Sequence, residues 1–319
     1  MERVIAVIGP TAVGKTKVSI DLAKMLTTEI VSGDSMLVYK NMDIGTAKPS
    51  ISERSNIVHH LIDILEPDAD FSVVDFKKVA SQHLTEINKQ GSIPVLAGGT
   101  GLYVKALLEG YQFNPTPSDE KLRIDLDNLA KEHGNQYLHD QLAQVVPSAA
   151  ARLHPNDLRR VIRALEVYYL SGDTVSQHKL LDQQELLYNT VVIGLTMDRE
   201  LLYNRINQRV DIMVAQGLVN EVTMLLARGI PANCQAMQGI GYKEVIRHLQ
   251  GEIDLPTAVE SIKQATRNFA KRQLTWYRKM PYITWFDVNN FTNHASMMET
   301  FYRLIAGKFN LTVEYKNKI

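Results

Sequence analysis

Residues 9–16 read GPTAVGKT, which matches the phosphate-binding pattern G-x-x-x-x-G-K-S/T at every fixed position. An apolar stretch, residues 4–8, comes directly before this loop, and a helical pattern follows over residues 18–26. Glycine lets the backbone wrap closely around a ligand, so the loop amides and the helix N-terminus can point at phosphate oxygens. The stretch therefore predicts a strand, a P-loop and a helix that together bind a di- or triphosphate.

Two side chains of the loop have predicted roles. Lys15 is expected to reach the terminal phosphates, and the hydroxyl of Thr16 is expected to bind Mg²⁺. The predicted phosphate-binding residues are Gly9, Pro10, Thr11, Ala12, Val13, Gly14, Lys15 and Thr16. On its own this loop points to ATP, and it leaves kinases, ATPases and GTPases open.

Strand and helix patterns alternate around the loop. Besides residues 4–8, the predicted strands are residues 29–32, 93–97, 190–195 and 283–286. The run at 93–97 is continuously apolar, which is typical of a parallel sheet buried on both faces. The predicted fold class is therefore α/β, a P-loop core built on a doubly wound parallel sheet.

A helical block interrupts this core. Residues 117–189 show helical patterns at 119–132, 135–146 and 156–171, with no convincing strand. We therefore predict an inserted all-helical subdomain over residues 117–189, between core segments 1–116 and 190–319. Such an insertion is a common place for a lid or a substrate clamp.

Composition limits the classes of protein that the chain can belong to. The 319 residues include 35 basic and 35 acidic side chains, so any nucleic-acid surface must be a local patch. The single cysteine, Cys234, excludes an internal disulfide framework and a four-cysteine zinc site. No signal peptide or long apolar span is visible, so we expect a cytoplasmic protein without membrane contact.

Polar residues follow two of the predicted strands. Asp34 comes after the strand that follows the P-loop helix, and Thr100 comes after the strand at 93–97. Ligands in doubly wound sheets bind beyond the carboxyl ends of the strands. Asp34 could therefore accept a proton from an acceptor molecule, as kinases of small hydroxyl compounds require, or it could simply cap a turn with Ser35.

Positive charge is concentrated in three helical segments. Lys263, Arg267 and Lys271 recur at every fourth residue and form one stripe, which is either a polyanion surface or a solvated helix face. A second cluster contains Arg152, Arg159, Arg160 and Arg163. Arg205 and Arg209 are one helical turn apart and could clamp a diphosphate leaving group. Surface ion pairs with Glu200 and Asp211 are the alternative for that pair.

The chain resembles a known family over nearly its whole length, the bacterial tRNA dimethylallyltransferases. The motifs that carry the resemblance are GPTAVGKT (9–16), SGDSMLVYKNMDIGTAKP (32–49), LAGGTGLYVKALLEG (96–110), DLRRVIRALEVY (157–168), RINQRVDIMVAQGLVNEV (205–222), GIGYKEV (239–245) and TRNFAKRQLTWYRK (266–279). Together they are far more specific than the P-loop alone. The family uses dimethylallyl diphosphate, so the resemblance implies that the loop holds a leaving diphosphate and that ATP is not the donor.

The resemblance also implies a reaction. Asp34 would accept the proton of the exocyclic N6 of a flipped adenine, just 3′ of the anticodon, as that nitrogen attacks the allylic carbon. Lys15, Thr16, Mg²⁺ and Arg205 or Arg209 would stabilise the departing diphosphate. Thr100 would contact the leaving group or the target nucleotide. These residues are the expected catalytic set, with Arg209 chosen from the arginine pair.

The expected partner is the anticodon stem-loop of tRNA, bound by a monomer. The residues expected to contact tRNA are Asp34, Ser35, Met36, Leu37, Thr100, Arg123, Arg159, Arg160, Val161, Ile162, Arg163, Gly239, Ile240, Gly241, Tyr242, Lys243, Glu244, Lys263, Arg267 and Lys271. A small-molecule P-loop kinase would explain the loop and Asp34 but would leave the basic clusters unexplained. An isopentenyltransferase acting on free AMP would need no RNA-binding insertion, and a nucleotide-regulated RNA-binding protein would need no Asp34.

Overall fold

The structure is a computed structural model that describes residues 1–114, 116–173, 177–179 and 185–311. The chain divides into two compact units. The first contains Met1–Leu108 and Gln183–Ile319, and the second contains Glu109–Asp182. The functional division at residues 117 and 189 stays a prediction.

The strands of the described chain, in order, are β1 (Arg3–Ile8), β2 (Ile30–Ser32), β3 (His59–His60), β4 (Val95–Gly98), β5 (Tyr111–Phe113), β6 (Gln177–Lys179), β7 (Asn189–Thr196) and β8 (Thr284–Asp287). The helices are α1 (Lys15–Leu26), α2 (Val73–Lys89), α3 (Gly101–Leu108), α4 (Glu120–His133), α5 (Asn135–Val145), α6 (Pro147–Ala150), α7 (Leu158–Ser171), α8 (Arg199–Ala215), α9 (Leu218–Ala227), α10 (Tyr242–Leu249), α11 (Leu255–Tyr277) and α12 (His294–Phe309).

The first unit is built on a six-stranded parallel sheet in the order β3-β2-β4-β1-β7-β8. Alternate residues of β1 point into two different cores. Val4, Ala6 and Ile8 belong to one cluster, and Ile5 and Val7 belong to the other. Both faces of the sheet are therefore covered, which explains the continuous apolar run of this strand. The predicted P-loop core with a doubly wound parallel sheet is confirmed.

Side-chain caps mark the starts of two helices in the first unit. The Ser72 hydroxyl accepts the amide of Asp75, whose carboxylate in turn accepts the amide of Ser72, so α2 begins with a capping box. Asp198 accepts the amides of Glu200 and Leu201 at the start of α8. Strand β3 was not predicted, because two half-buried histidines carry no recognisable strand pattern.

The second unit corrects one expectation, because it is not entirely helical. Its helices α4, α5 and α7 match the predicted patterns and bury a small core of their own. However, β5 and β6 pair antiparallel, with Tyr111 opposite Lys179. Strands of three residues are too short to show an alternating pattern, and their pairing joins segments far apart in the sequence.

No single described helix has both the length and the apolar character needed to cross a membrane. Helices α8 and α9, bent by 55° at their junction, pass that test only as a pair.

Candidate active site

The P-loop lies between β1 and α1, and its first glycine packs closely against the neighbouring strand β7. Gly9 has a φ of 148°, and a Cβ atom there would lie 2.5 Å from the carbonyl oxygen of Leu195 on β7. Only glycine fits so close to the neighbouring strand. Gly14 is the N-cap of α1 and has no side chain with which to cap it. The first amides of α1 therefore remain suited to an external anion.

A cavity of about 510 Å³ opens beside the loop. Its basic lining residues are Lys15, Lys17, Lys24, Arg205 and Arg209. Lys17 and Lys24 were not found from the sequence, although their spacing of seven residues places them on one face of α1. The cavity therefore offers several cations to an anionic ligand, and both predicted arginines of α8 are among them.

A smaller cavity of about 100 Å³ contains the predicted acid. Asp34 lines it together with Lys15, Thr16 and Arg209, and all but Asp34 also line the larger cavity. The apolar part of the lining comes from Ile30, Leu37, Ala47, Pro49, Ile62 and Ala97. The smaller cavity thus combines a carboxylate, phosphate-binding groups and an apolar wall.

Asp34 has the local turn contact that the alternative interpretation required. Its Oδ1 accepts the backbone N–H of Met36 at 2.8 Å. The hydroxyl of Thr100 accepts the backbone N–H of Ser35 at 3.0 Å and donates to the hydroxyl of Ser35 at 3.3 Å. The turn contact and the cavity position are compatible, because Thr100 and Met36 fix the segment that carries the carboxylate.

The charged groups at the loop influence one another strongly. Burial lowers the pKa of Lys15 to about 8, the negative charge of Asp34 opposes that shift, and Arg209 adds to it. Lys15 Nζ donates to the carbonyl of Pro10 at 2.7 Å. Burial also lowers the pKa of Arg209, against the opposing effects of Asp34 and Glu53. A bound anion would relieve the mutual repulsion of these two cations.

The structure distinguishes the two arginines of α8. Arg209 lines both cavities and donates from Nη2 to the carbonyl of Ala47 at 3.5 Å, whereas Arg205 is exposed and lines only the larger cavity. Asp211, an alternative partner of Arg209, instead pairs with Lys263 at 2.8 Å. Arg209 is therefore the arginine that lines the same cavity as both Asp34 and Lys15.

The basic stripe of α11 is partly occupied by internal contacts. Lys263 has a side chain only 15% exposed and pairs with Asp211 and Glu260. Arg267 donates to Asn207 at 2.6 Å and to Gln264 at 2.7 Å. Lys271 is exposed. Of the three predicted tRNA contacts on this helix, Lys271 therefore has the most accessible charge.

The other side of α11 reaches the site through a residue that was missed in the sequence. The buried amide of Gln273 hydrogen-bonds to both Thr11 of the P-loop and Gly99 after β4. The two residues before it, Lys271 and Arg272, are basic and indicate a charged surface, whereas a buried glutamine has no recognisable sequence pattern.

Residues 239–244 form the start of α10 and the turn before it. Tyr242 is fully buried, and its hydroxyl donates to Glu221 at 2.7 Å. Glu244 is buried and accepts the amide of Gly241 at 2.8 Å. Lys243 is exposed, and Ile240 is half-buried. Within this predicted tRNA-binding segment, the side chains of Tyr242 and Glu244 are therefore used in internal hydrogen bonds.

The predicted tRNA residues of the second unit fall into three groups. Arg159 and Arg160 are exposed, and Arg160 pairs with Asp157 at 2.7 Å. Val161 and Ile162 are buried in the core of the unit, so a side-chain contact of either with RNA is contradicted. They sit on the inner face of the amphipathic helix α7, and the match to a family motif does not distinguish that face from the outer one.

The third group consists of Arg123 and Arg163, which pair with the same carboxylate. The side chain of Glu166 is fully buried, and it pairs with Arg123 at 2.9 Å and with Arg163 at 2.6 Å. Burial would raise the pKa of Glu166, but the hydrogen bonds from the two arginines outweigh that effect and lower it. Arg123 and Arg163 therefore share an internal counterion.

Within the part of the chain that the structure describes, no group of three or more His, Cys, Asp or Glu side chains could hold a metal ion. Mg²⁺ commonly keeps several waters and takes one or two protein oxygens together with phosphate oxygens. Thr16 lines both cavities at the start of α1, so its hydroxyl fits a site of that kind.

The parallel sheet, its P-loop and the basic cavity beside the loop define a P-loop protein with a cavity suited to an anionic ligand. Comparisons with known proteins identify the family. The model of the family IPP transferase matches residues 37–280, and a second model, isopentenyl transferase, matches residues 2–64. The chain belongs to the IPP transferase family, so the resemblance found in the sequence is confirmed and the protein is a prenyl-transferring enzyme.

Individual relatives are similar to this protein over nearly the whole chain. A tRNA dimethylallyltransferase of Geobacillus thermodenitrificans is 49% identical over 97% of this chain and 98% of its own length. One from Bacillus velezensis is 50% identical, with the same coverage of 97% and 98%. The crystal structure of a tRNA isopentenylpyrophosphate transferase from Bacillus halodurans is similar, with a TM-score of 0.74, 46% identity and 97% coverage of both chains. A eukaryotic dimethylallyltransferase described as acting on tRNA has a TM-score of 0.78 and 26% identity, and the match covers 99% of this chain and 82% of that one.

Proposed function

We propose that this protein transfers a dimethylallyl group from dimethylallyl diphosphate to N6 of the adenosine 3′ of the anticodon in tRNA. Relatives that are about half identical over 98% of their own length are tRNA dimethylallyltransferases. The observation that carries the proposal for this chain is the smaller cavity, where the carboxylate of Asp34 and the phosphate-binding groups Lys15, Thr16 and Arg209 line one space. Proton acceptance and diphosphate departure can therefore occur at one site.

The chemistry assigns complementary roles to these groups. As N6 of adenine forms a bond to the allylic carbon, the bond from that carbon to the diphosphate oxygen breaks. Asp34 accepts the proton that N6 loses, and it needs to be ionised to do so. Lys15 and Arg209 stabilise the negative charge that develops on the leaving diphosphate, with Arg205 contributing from the larger cavity.

Two further groups complete the proposed donor site. Thr16 would hold Mg²⁺ together with diphosphate oxygens, and the ion would supply positive charge for the leaving group. Thr100 would keep the segment around Asp34 in place through its two hydrogen bonds to Ser35. The apolar residues Leu37 and Ile62 of the smaller cavity suit a hydrocarbon chain better than a nucleotide base.

The proposed acceptor is the anticodon stem-loop of tRNA, bound by a cytoplasmic monomer. Exposed cations, including Lys271, Lys243, Arg159 and Arg160, would contact phosphates and set the position of the RNA. The target base is unpaired in the anticodon loop, so extruding it requires less free energy than it would in a duplex.

Transfer of a radiolabelled prenyl group tests the proposal directly. We expect label from dimethylallyl diphosphate to enter tRNA but not AMP or ATP, in a reaction that requires Mg²⁺. Label on AMP would support the free-nucleotide isopentenyltransferase. Phosphate transfer from ATP to a small hydroxyl compound, without prenyl transfer, would support the kinase.

Replacement of the proposed base tests the mechanism. Asp34→Asn keeps the size of the side chain and an oxygen that can accept the amide of Met36, so the turn should survive. We expect turnover to fall by about 10²–10⁴, with dimethylallyl diphosphate binding largely intact. Asp68→Asn changes an exposed aspartate of the same unit and is the control. A variant at Asp34 that kept more than about a tenth of wild-type turnover would show that the residue only caps a turn.

A further inference from the structure

We propose that Gln273 is a positioning residue that fixes the P-loop relative to the loop after β4, and so couples the donor and acceptor sides of the site. The assignment to a reaction rests on the proposed function. The structural link itself is independent of which group is transferred.

Both ends of the Gln273 amide are used. Its Oε1 accepts the backbone N–H of Thr11 at 2.8 Å, and its Nε2 donates to the backbone carbonyl of Gly99 at 2.8 Å. The residue is only 5% exposed, so water does not readily replace either partner. One partner is a donor and the other an acceptor, which fixes the orientation of the amide. One side chain therefore joins segments that are 262 and 174 residues away in the sequence.

The fit around this amide leaves little room for movement. A Cβ atom on Gly99 would lie 2.5 Å from Gln273 Nε2 and 3.6 Å from Lys15 Nζ. One helical turn further along α11, the buried hydroxyl of Tyr277 donates to the carbonyl of Gly98 at 3.4 Å. Helix α11 thus contacts two consecutive carbonyls at the end of β4.

The two loops that Gln273 joins have different tasks in the proposed reaction. Thr11 belongs to the P-loop, which would hold the diphosphate. Gly99 precedes Thr100, whose hydroxyl is bonded to Ser35 beside the proposed base Asp34. A continuous series of contacts therefore runs from the P-loop through Gln273 to the segment that carries the base. Catalytic rates are sensitive to small displacements between such groups, so we expect Gln273 to affect both donor affinity and turnover.

Gln273→Met provides the first test, because methionine has a similar length and removes both hydrogen bonds. We expect the dissociation constant for inorganic diphosphate with Mg²⁺ to rise about tenfold, and kcat for tRNA prenylation to fall about tenfold. Affinity for tRNA should stay within about twofold, because phosphate contacts elsewhere dominate it. Gln90→Met, an exposed site at the end of α2, is the matched control.

Hydrogen exchange measured by mass spectrometry separates positioning from a general loss of structure. In Gln273→Met, exchange should accelerate in peptides covering residues 9–16 and 97–101 while the buried strand β1 stays protected. Gln273→Glu, in its ionised form, retains an acceptor for Thr11 and loses the donor to Gly99. This variant should accelerate exchange at residues 97–101 and leave residues 9–16 close to wild type.

Several outcomes would overturn the proposal. Wild-type diphosphate affinity, turnover and exchange in Gln273→Met would show that the amide is only a buried contact. Acceleration throughout β1 in both variants would show that Gln273 supports the whole core. If the wild-type protein did not prenylate tRNA, the proposed function would fail, but diphosphate binding and exchange would still decide whether Gln273 positions the two loops.

Discussion

At the scale of single residues, the site brings together charged side chains that are only partly exposed, Lys15, Asp34 and Arg209. Lys15 illustrates the consequence. Burial lowers its pKa to about 8, although the negative charge of Asp34 acts in the opposite direction. An unfolded lysine titrates near 10.5, so the unfolded chain binds more protons than the folded one between about pH 8 and about pH 10.5. In the absence of ligand, stability contributed by this group therefore rises with pH across that window.

Ligand binding should have the opposite dependence on pH. A diphosphate favours the charged form of Lys15, so its affinity should weaken by up to about tenfold per unit as pH rises above about 8. We expect the thermal protection by dimethylallyl diphosphate to shrink from about pH 7 to about pH 9, as followed by thermal denaturation. Lys15→Met should show weak protection whose pH dependence comes from the ligand alone. Equal pH profiles in the two proteins would contradict the prediction.

At the scale of elements, a carboxylate on one helix holds the loop that lines the smaller cavity. Glu221 on α9 accepts the backbone amides of Asp43, Ile44 and Gly45 at 2.7–3.0 Å. It also accepts the hydroxyl of Tyr242, whose pKa is raised by burial and by the charge of Glu221. Residues 46, 47 and 49 of the same loop line the cavity. Helix α9 thus shapes a site that it does not itself touch.

Glu221→Ala should therefore affect both stability and donor binding. It leaves three amides and a buried hydroxyl without their acceptor, and we expect a loss of about 2–4 kcal/mol in the free energy of unfolding. The KM for dimethylallyl diphosphate should rise, because the cavity wall loosens. Glu252→Ala removes an exposed pair with Arg247 and should cost about 1 kcal/mol or less. Denaturant titration and steady-state kinetics measure the two effects, and a variant at Glu221 as stable as that control would show that the loop is held elsewhere.

At the scale of the whole molecule, the formal net charge is zero, so the overall charge does not attract RNA. RNA binding must therefore depend on the cations whose charge is accessible at the surface. Lys263 and Arg267 have internal partners, whereas Lys271 is exposed. Arg159 and Arg160 are exposed on the second unit, and Arg160 pairs with Asp157 at the surface. The expected surface is thus a small set of accessible charges, and the count of basic residues in a helix overstates it.

A salt series tests this distribution. Removing one cation that neutralises a phosphate reduces the slope of log K against log salt by about 0.9 or less. A combined variant replaces Lys263, Arg267 and Lys271 with alanine. We expect Lys271→Ala alone to produce most of the decrease in slope that the combined variant shows. Turnover at saturating tRNA should change much less, because these side chains would position the backbone of the RNA. Lys308→Ala, exposed on α12, is the control for filter binding. An unchanged slope in the combined variant would mean that the stripe is a solvated helix face.

The P-loop, the strands that frame it, the α/β class and the family could all be predicted from the amino-acid sequence, because these features depend on local patterns. Asp34, Lys15 and Arg209 were found for the same reason, since each belongs to a motif or follows a strand. Three contacts could not be predicted in this way: Gln273 joins two loops, Glu221 holds a third, and Asp211 pairs with Lys263. Hydrogen bonds and ion pairs of this kind form between residues far apart in the sequence, so they are fixed by how the helices pack on the sheet.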